Sequence, residues 1–312
     1  MMLKPSDVVE IRYSKIHKDN INKDIKIASL SDTHISRKTT KEEIAFMIYT
    51  IKKENPDYIF LLGDIIDSYH LMDESSTRAK VTTLLVKLSE IAKVFFVIGN
   101  HDYIYYDDEF GFMEGDIDRW DFYNMYDNIK FINNEIIDEE DITIGGYNEP
   151  YKVYHNKEKS VFQNDFCNYN LEKVESDKPK ILLVHSPEPF KQEDNINLVK
   201  EYNIIMSGHT HNGLVPSFLD KVWIPKYSGI ITSSRKLFPK DVRGIKKLNT
   251  GSYLYHNGGW TKIANSAPKK YQLLDNICNR QIDVTTITND NRIKDIKIYT
   301  KKYRKNIGEL NG

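Results

Sequence analysis

Aspartate, asparagine and histidine recur in five short polar clusters: Asp32-Thr33-His34, Gly63-Asp64-Ile65-Ile66-Asp67, Gly99-Asn100-His101-Asp102, His185-Ser186-Pro187 and Ser207-Gly208-His209-Thr210-His211. Five of the nine histidines stand in these clusters, where chance placement would scatter them. Carboxylate and imidazole together suit Mn, Fe or Zn better than Ca, which takes only oxygen, or structural zinc, which favours cysteine. In an extended segment residues i and i+2 share a face. Asp32 with His34, and His209 with His211, would then each offer two ligands to one centre. Taken singly, Asp32, Asp64 and Asn100 are ordinary strand-ending turn residues, and His185 is an ordinary structural histidine. Taken together they point to a metal centre. Phosphate esters repel anionic nucleophiles, and two divalent cations supply the positive charge their hydrolysis needs.

Each cluster directly follows an apolar run of strand length, at 25–30, 58–62, 94–98, 181–184 and 204–206. Continuous apolar runs fit strands buried on both faces, and ligands gather at the carboxyl ends of such strands. One sheet edge can therefore collect all five clusters. Between the runs lie helical patterns. Thr40-Lys41-Glu42-Glu43 is a capping box, Ile44, Met47, Ile48 and Ile51 follow at helical spacing, and Pro56 ends the helix. A second helix is expected over 77–93, with Val81, Leu84, Leu85, Leu88 and Ile91 on one face. This alternation predicts an α/β sandwich.

Residues 103–126 break the pattern with nine aromatics among 24 residues, either a lid or a small satellite core. A hairpin is expected over 129–147, loop over 148–178, and strands over 271–304 with a turn at Asn289-Asp290-Asn291. Without a convincing linker, the expectation is one domain over 1–312, with an insertion near 103–126 and a C-terminal strand region at 271–304.

Other classes are disfavoured. The 312 residues carry a net charge of −1, so no global basic field argues for nucleic acid. Cys167 and Cys278 cannot build a disulfide framework and fit a reducing compartment. No run approaches the roughly 20 apolar residues of a membrane helix, and the N-terminal stretch has no apolar core of a secretory signal. A cytoplasmic location is the expectation. Zincin, nucleophile-elbow, Walker A and dinucleotide patterns are absent from the sequence.

Asp-x-His, Gly-Asp-x-x-Asp, Gly-Asn-His-Asp, a lone histidine after a strand, and Gly-His-x-His, in that order from Ile25 to His211, resemble the calcineurin-like metallophosphoesterase superfamily. His-Ser-Pro and Ser-Gly-His-Thr-His make the chain most similar to its bacterial YkuE-like branch, and looser similarity runs on through Leu254 to Trp260. The resemblance implies a four-layer αββα sandwich of two mixed sheets flanked by helices. It implies two divalent metals, manganese favoured over Fe or Zn. Asp32, His34 and His211 would hold the first metal, Asn100, His185 and His209 the second, and Asp64 would bridge them. A hydroxide shared by the metals would attack the phosphate ester in line. His101 would protonate the leaving oxygen, with Asp67 orienting its imidazole.

Two departures stand out. Ser68 occupies a position where several branches carry arginine, and Asn212 replaces a glycine after His-x-His. The first favours a phosphodiesterase over a protein-phosphatase type. A phosphomonoesterase and a nuclease remain alternatives, as does a non-catalytic metal-binding scaffold for a protein partner. His17, His70, His155 and His256 are expected at the surface, and Lys301 to Lys305 as a solvated tail or a lysine-guarded edge strand.

Overall fold

The computed structural model describes residues 8–155, 159–216, 219, 227–231, 237–263, 277–293 and 296–304. Its strands in chain order are β1 (Val8–His17), β2 (Ile25–Leu30), β3 (Tyr58–Leu62), β4 (Lys93–Val97), β5 (Ile104–Asp107), β6 (Gly111–Glu114), β7 (Ile129–Phe131), β8 (Ile136–Asp138), β9 (Thr143–Tyr147), β10 (Lys180–Val184), β11 (Ile204–Ser207), β12 (Gly244–Lys247), β13 (Tyr253–His256), β14 (Arg280–Thr288) and β15 (Ile296–Arg304). The α-helices are α1 (Lys41–Glu54), α2 (Ser75–Ser89), α3 (Asn100–Tyr103), α4 (Tyr151–His155), α5 (Lys159–Asn168) and α6 (Glu193–Leu198).

A seven-stranded sheet runs β15-β1-β14-β2-β3-β4-β7, a six-stranded sheet runs β12-β13-β11-β10-β9-β8, and β5 pairs with β6. Both large sheets are mixed. β2, β3, β4 and β7 are parallel neighbours in the first, and β9, β10, β11 and β13 in the second. Strand alternation sorts the apolar runs into layers. Phe60, Leu62, Phe95 and Val97 meet Ile181, Leu183, Ile204 and Met206 between the sheets. Ile59, Leu61, Val94 and Phe96 face outward onto Ile44, Met47 and Ile51 of α1 and Val81, Leu84, Leu85 and Leu88 of α2. Leu182, Val184 and Ile205 cover Phe162 and Phe166 of α5 on the opposite side. Each such side chain contributes about 1.5–3 kcal/mol when fully buried. The result is the expected four-layer sandwich. It explains why the runs are continuously apolar: both faces of the central strands are covered.

Local chemistry sets the helix ends. Thr40 caps α1 by accepting the Glu43 N–H through its hydroxyl. Asn55 closes it in the left-handed region at φ 45° ahead of Pro56. The second helix spans Ser75–Ser89 rather than 77–93, because Lys93 already opens β4.

Two further expectations are corrected. Within 129–147 only β8 and β9 form a hairpin, while β7 joins the other sheet beside β4. The stretch 148–178 holds α4 and α5, whose few apolar positions are a weak periodic signal. The aromatic stretch is divided: Tyr103, Trp120 and Tyr123 enter the core, while Tyr106, Phe110, Phe112 and Phe122 are exposed around the β5–β6 hairpin and the 3-10 helix at Asp118–Met125. β15 is a lysine-bearing edge strand; Lys305 and residues 271–276 lie outside the described residues.

Candidate metal centre

The five clusters meet at the carboxyl ends of β2, β3, β4, β10 and β11. Among the described residues, three sets of potential ligand atoms lie within 4.8 Å of one another: Asp32, His34 and His211; His34, Asp64 and His101; and Asp64, His185 and His209. The sets share His34 and Asp64. Asp64 Oδ2 lies 3.7 Å from His34 Nε2 and 3.1 Å from His185 Nε2, so one carboxylate faces both histidine groups.

The backbone that presents these groups is unusual. Asp32 (φ 52°), His34 (φ 44°), Asp64 (φ 50°), His209 (φ 65°) and His211 (φ 47°) all lie in the left-handed region, which non-glycine residues seldom enter. Asp32 and His34 therefore converge through tight turns, not through the extended alternation expected from their spacing. The turns are braced against each other: Asp32 N–H donates to the Gly63 carbonyl at 3.0 Å and His34 N–H to the Asp64 carbonyl at 3.0 Å. Gly63, at φ 80°, makes room for the crossing, since a Cβ there would lie 2.6 Å from His185 Nδ1 and from Gly99 N.

Second partners orient the imidazoles. His185 Nδ1 donates to the Leu62 carbonyl at 2.7 Å, and His211 Nδ1 donates to the Thr261 carbonyl at 2.9 Å. Carbonyls only accept, so each Nδ1 carries a proton and Nε2 is the ring atom left to face the site. His185 Nε2 and His209 Nδ1 converge at 3.2 Å, and His211 Nε2 sits 3.5 Å from Asp32 Oδ1. Both His34 ring nitrogens and Asn100 Oδ1 are buried with no hydrogen-bond partner. Leaving such atoms unsatisfied costs about 1–3 kcal/mol each, and divalent cations would satisfy one His34 nitrogen and Asn100 Oδ1. The donor set thus fits the metals that the sequence implies.

The electrostatics agree. Burial, together with the His101 and Asp64 charges in opposition, leaves His34 well below its usual pKa. Burial and His185 push His209 down to about 3, and burial also lowers His211. Neutral imidazoles are the metal-binding form. Burial works against the Asp64 carboxylate, but His185 and His101 outweigh it and hold Asp64 well below the carboxylate range. His185 is the exception: burial opposes its imidazolium, yet Asp64 lifts its pKa to about 10, so this ring must release its Nε2 proton to take an ion.

His101 departs from expectation in how it is held. Its Nδ1 donates to the main-chain carbonyl of Asp67 at 2.7 Å, so the Asp67 carboxylate is not what orients the ring. That carboxylate instead lies 3.7 Å from His34 Nδ1. Burial disfavours the charged ring, but Asp64 and the Asp67 carbonyl raise its pKa above the ordinary value. Asn100, His101 and His209 are half-buried while Asp32, His34, Asp64, Asp67, His185 and His211 are buried, so the open side of the site lies at the first three.

Some contributors have tasks that the motifs do not reveal. Asp102 ties the α3 turn down by accepting the Gly99 and Ile66 N–H groups at 2.8 and 2.9 Å, and burial with the nearby Asp64 charge pushes it up to about 7. Trp260 and Thr261 N–H donate to the Ser31 and Asp32 carbonyls, which anchors the first ligand loop. Glu149 follows β9 just as the other site residues follow their strands, a signal the polar surroundings masked. Of the other histidines, His70 is exposed as expected and His17 is half-buried. His256 is buried, a correction that follows from its place at the end of an interior strand. The His155 side chain lies outside the described residues.

The profile of the calcineurin-like phosphoesterase family matches residues 25–213, more than half of the chain, and the chain belongs to that family. An uncharacterized metallophosphoesterase of Campylobacter jejuni is 22% identical over 213 residues, covering 67% of this chain and 50% of its own length. The uncharacterized metallophosphoesterase YkuE of Bacillus subtilis is 28% identical over 211 residues, covering 66% of this chain and 63% of its own length. The chain thus spans about half the length of the first of these relatives. The solved structure of GAP50, the anchor in the inner membrane complex of Plasmodium, aligns at 14% identity and a TM-score of 0.47, over 92% of this chain and 86% of that one. No helix among the described residues is long and apolar enough to cross a membrane.

Proposed function

We propose that this chain is a dinuclear-metal phosphoesterase that hydrolyses phosphodiesters. The observation that carries the reading is Asp64, whose carboxylate stands between the His34 and His185 imidazoles. Asp32, His34 and His211 would hold one ion, Asn100, His185 and His209 the other, and Asp64 both. Two such ions, when bound, supply positive charge to the phosphoryl oxygens and activate water at neutral pH. Manganese is the ion we favour for the mixed oxygen and imidazole set.

The protein groups then have distinct tasks. His101, on the open side, has its Nδ1 engaged with the Asp67 carbonyl, which leaves Nε2 to carry the transferable proton. It would deliver that proton to the leaving oxygen, a step worth roughly 10²–10⁴-fold in rate. Asp67 serves through its main chain and through its charge near His34. The diester preference is supported by Ser68, which brings no cation to clamp a terminal phosphate. The nearby Arg37 and Arg119 are engaged with Glu74 and Asp73. A cytoplasmic setting completes the proposal; Cys167 and Cys278 form no disulfide.

The test is Mn²⁺-dependent hydrolysis of bis-p-nitrophenyl phosphate against p-nitrophenyl phosphate, with Asp64→Asn alongside. Faster diester turnover that vanishes in the variant is the expected result. Faster monoester turnover would overturn the diester assignment, and full activity in Asp64→Asn would overturn the mechanism.

A further inference from the structure

Glu149 has a fully buried carboxylate at the carboxyl end of β9, beside β10 and its His185. Oε1 accepts the Ser186 N–H at 2.7 Å. Oε2 accepts the His185 N–H at 3.2 Å and the Tyr154 hydroxyl at 3.2 Å. All three donors are neutral, and burial pushes this carboxyl up to about 7, so its ionised form needs a nearby opposite charge. The position that offers one is the ligand group built on His185. Tyr154, on α4, carries the contact further: its ring centroid lies 5.6 Å from that of His209 and 6.5 Å from that of His185. The Glu149 carbonyl is itself held by the Tyr103 hydroxyl from α3, the helix that carries Asn100 and His101. Glu149 therefore contacts the segments that carry His185 and Asn100, and it reaches the His209 segment through Tyr154.

We propose that Glu149, with Tyr154 bonded to it, is the positioning residue of the second metal position. It fixes the main chain at His185 and Ser186 opposite the Leu62 carbonyl that fixes the ring. This rests on the dinuclear reading. Partners of this kind typically contribute 10–100-fold to metal affinity when they support a ligand. Gln in place of Glu149 preserves the shape but turns one of the two accepting oxygens into a donor, which breaks the hold on the His185–Ser186 main chain.

The experiment is Mn²⁺ titration of metal-stripped protein by equilibrium dialysis, with electron paramagnetic resonance to separate bound from free ion. Wild type, Glu149→Gln and Tyr154→Phe are compared, and circular dichroism verifies the fold. Two ions should bind to wild type. In Glu149→Gln the first should bind as before and the second about 10–100-fold more weakly, with turnover recovering at saturating Mn²⁺. Tyr154→Phe should shift the second ion in the same direction by less. A folded Glu149→Gln with wild-type affinity for both ions overturns the proposal. Should that variant not fold, an unchanged second affinity in Tyr154→Phe overturns it. Wild type binding fewer than two ions defeats the dinuclear reading itself, a failure visible before any variant is compared.

Discussion

His101 stands 2.9 Å from Asp64 through its main-chain N–H, within ligand reach of His34 and Asp64 through its ring, and on the open side of the site. A ligand and a proton donor at that position make different demands. If it donates a proton, His101→Ala should lower turnover by about 10²–10⁴-fold while metal content stays at the wild-type value. Metal analysis of the purified variant beside its rate separates the two roles, since loss of an ion would make His101 a ligand. At this scale the sequence named most of the site. Asp32, His34, Asp64, His101, His185, His209 and His211 converge because each sits at the end of an apolar run. Asp102 stands inside Gly-Asn-His-Asp and Glu149 in no motif, and the task of either is hidden in the sequence, because accepting main-chain N–H groups leaves no spacing to recognise.

Elements differ in how plainly they were written. α1 was legible from its cap, its apolar spacing and Pro56, all local signals. Its Thr40 hydroxyl accepts the Glu43 N–H at 3.2 Å. Thr40→Ala should lower unfolding stability by about 1 kcal/mol with metal affinity unchanged, as read by urea denaturation beside Mn²⁺ titration. The central strands were legible because burial on both faces forces continuous apolar runs. β7 reads as one arm of a hairpin, as its three residues contain no mark of which sheet they will join. α5 reads as loop, since only Phe162 and Phe166, one helical turn apart, reveal its inner face. Pairing and packing partners are long-range facts, and short segments carry little local record of them.

Over the whole molecule, the buried histidines make stability depend on pH. His256 illustrates this away from the ligand groups: neither ring nitrogen has a hydrogen-bond partner. Burial, helped by the Arg12 charge, pushes its pKa down to about 3. The unfolded chain titrates this ring near 6.5. Between those values the unfolded state takes up a proton that the folded state refuses, so stability is full above about pH 6.5 and is lost as pH falls toward 3. One such ring contributes a loss on the order of 1 kcal/mol at pH 5.5. Urea unfolding of metal-stripped protein at pH 7.5 and 5.5 should show the decline, and His256→Asn should show less of it. An equal decline in that variant would assign the pH dependence to other groups.

The left-handed turns at Asp32, His34, Asp64, His209 and His211 also bear on how a mutational scan of this chain would be interpreted. Asparagine tolerates that backbone about as well as aspartate, whereas valine and isoleucine resist it. A scan would therefore rank β-branched replacements as the most damaging at five positions for a reason unrelated to ligand chemistry. Only the difference between Asn and Asp, measured at the same dihedral angles, isolates what the carboxylate itself contributes.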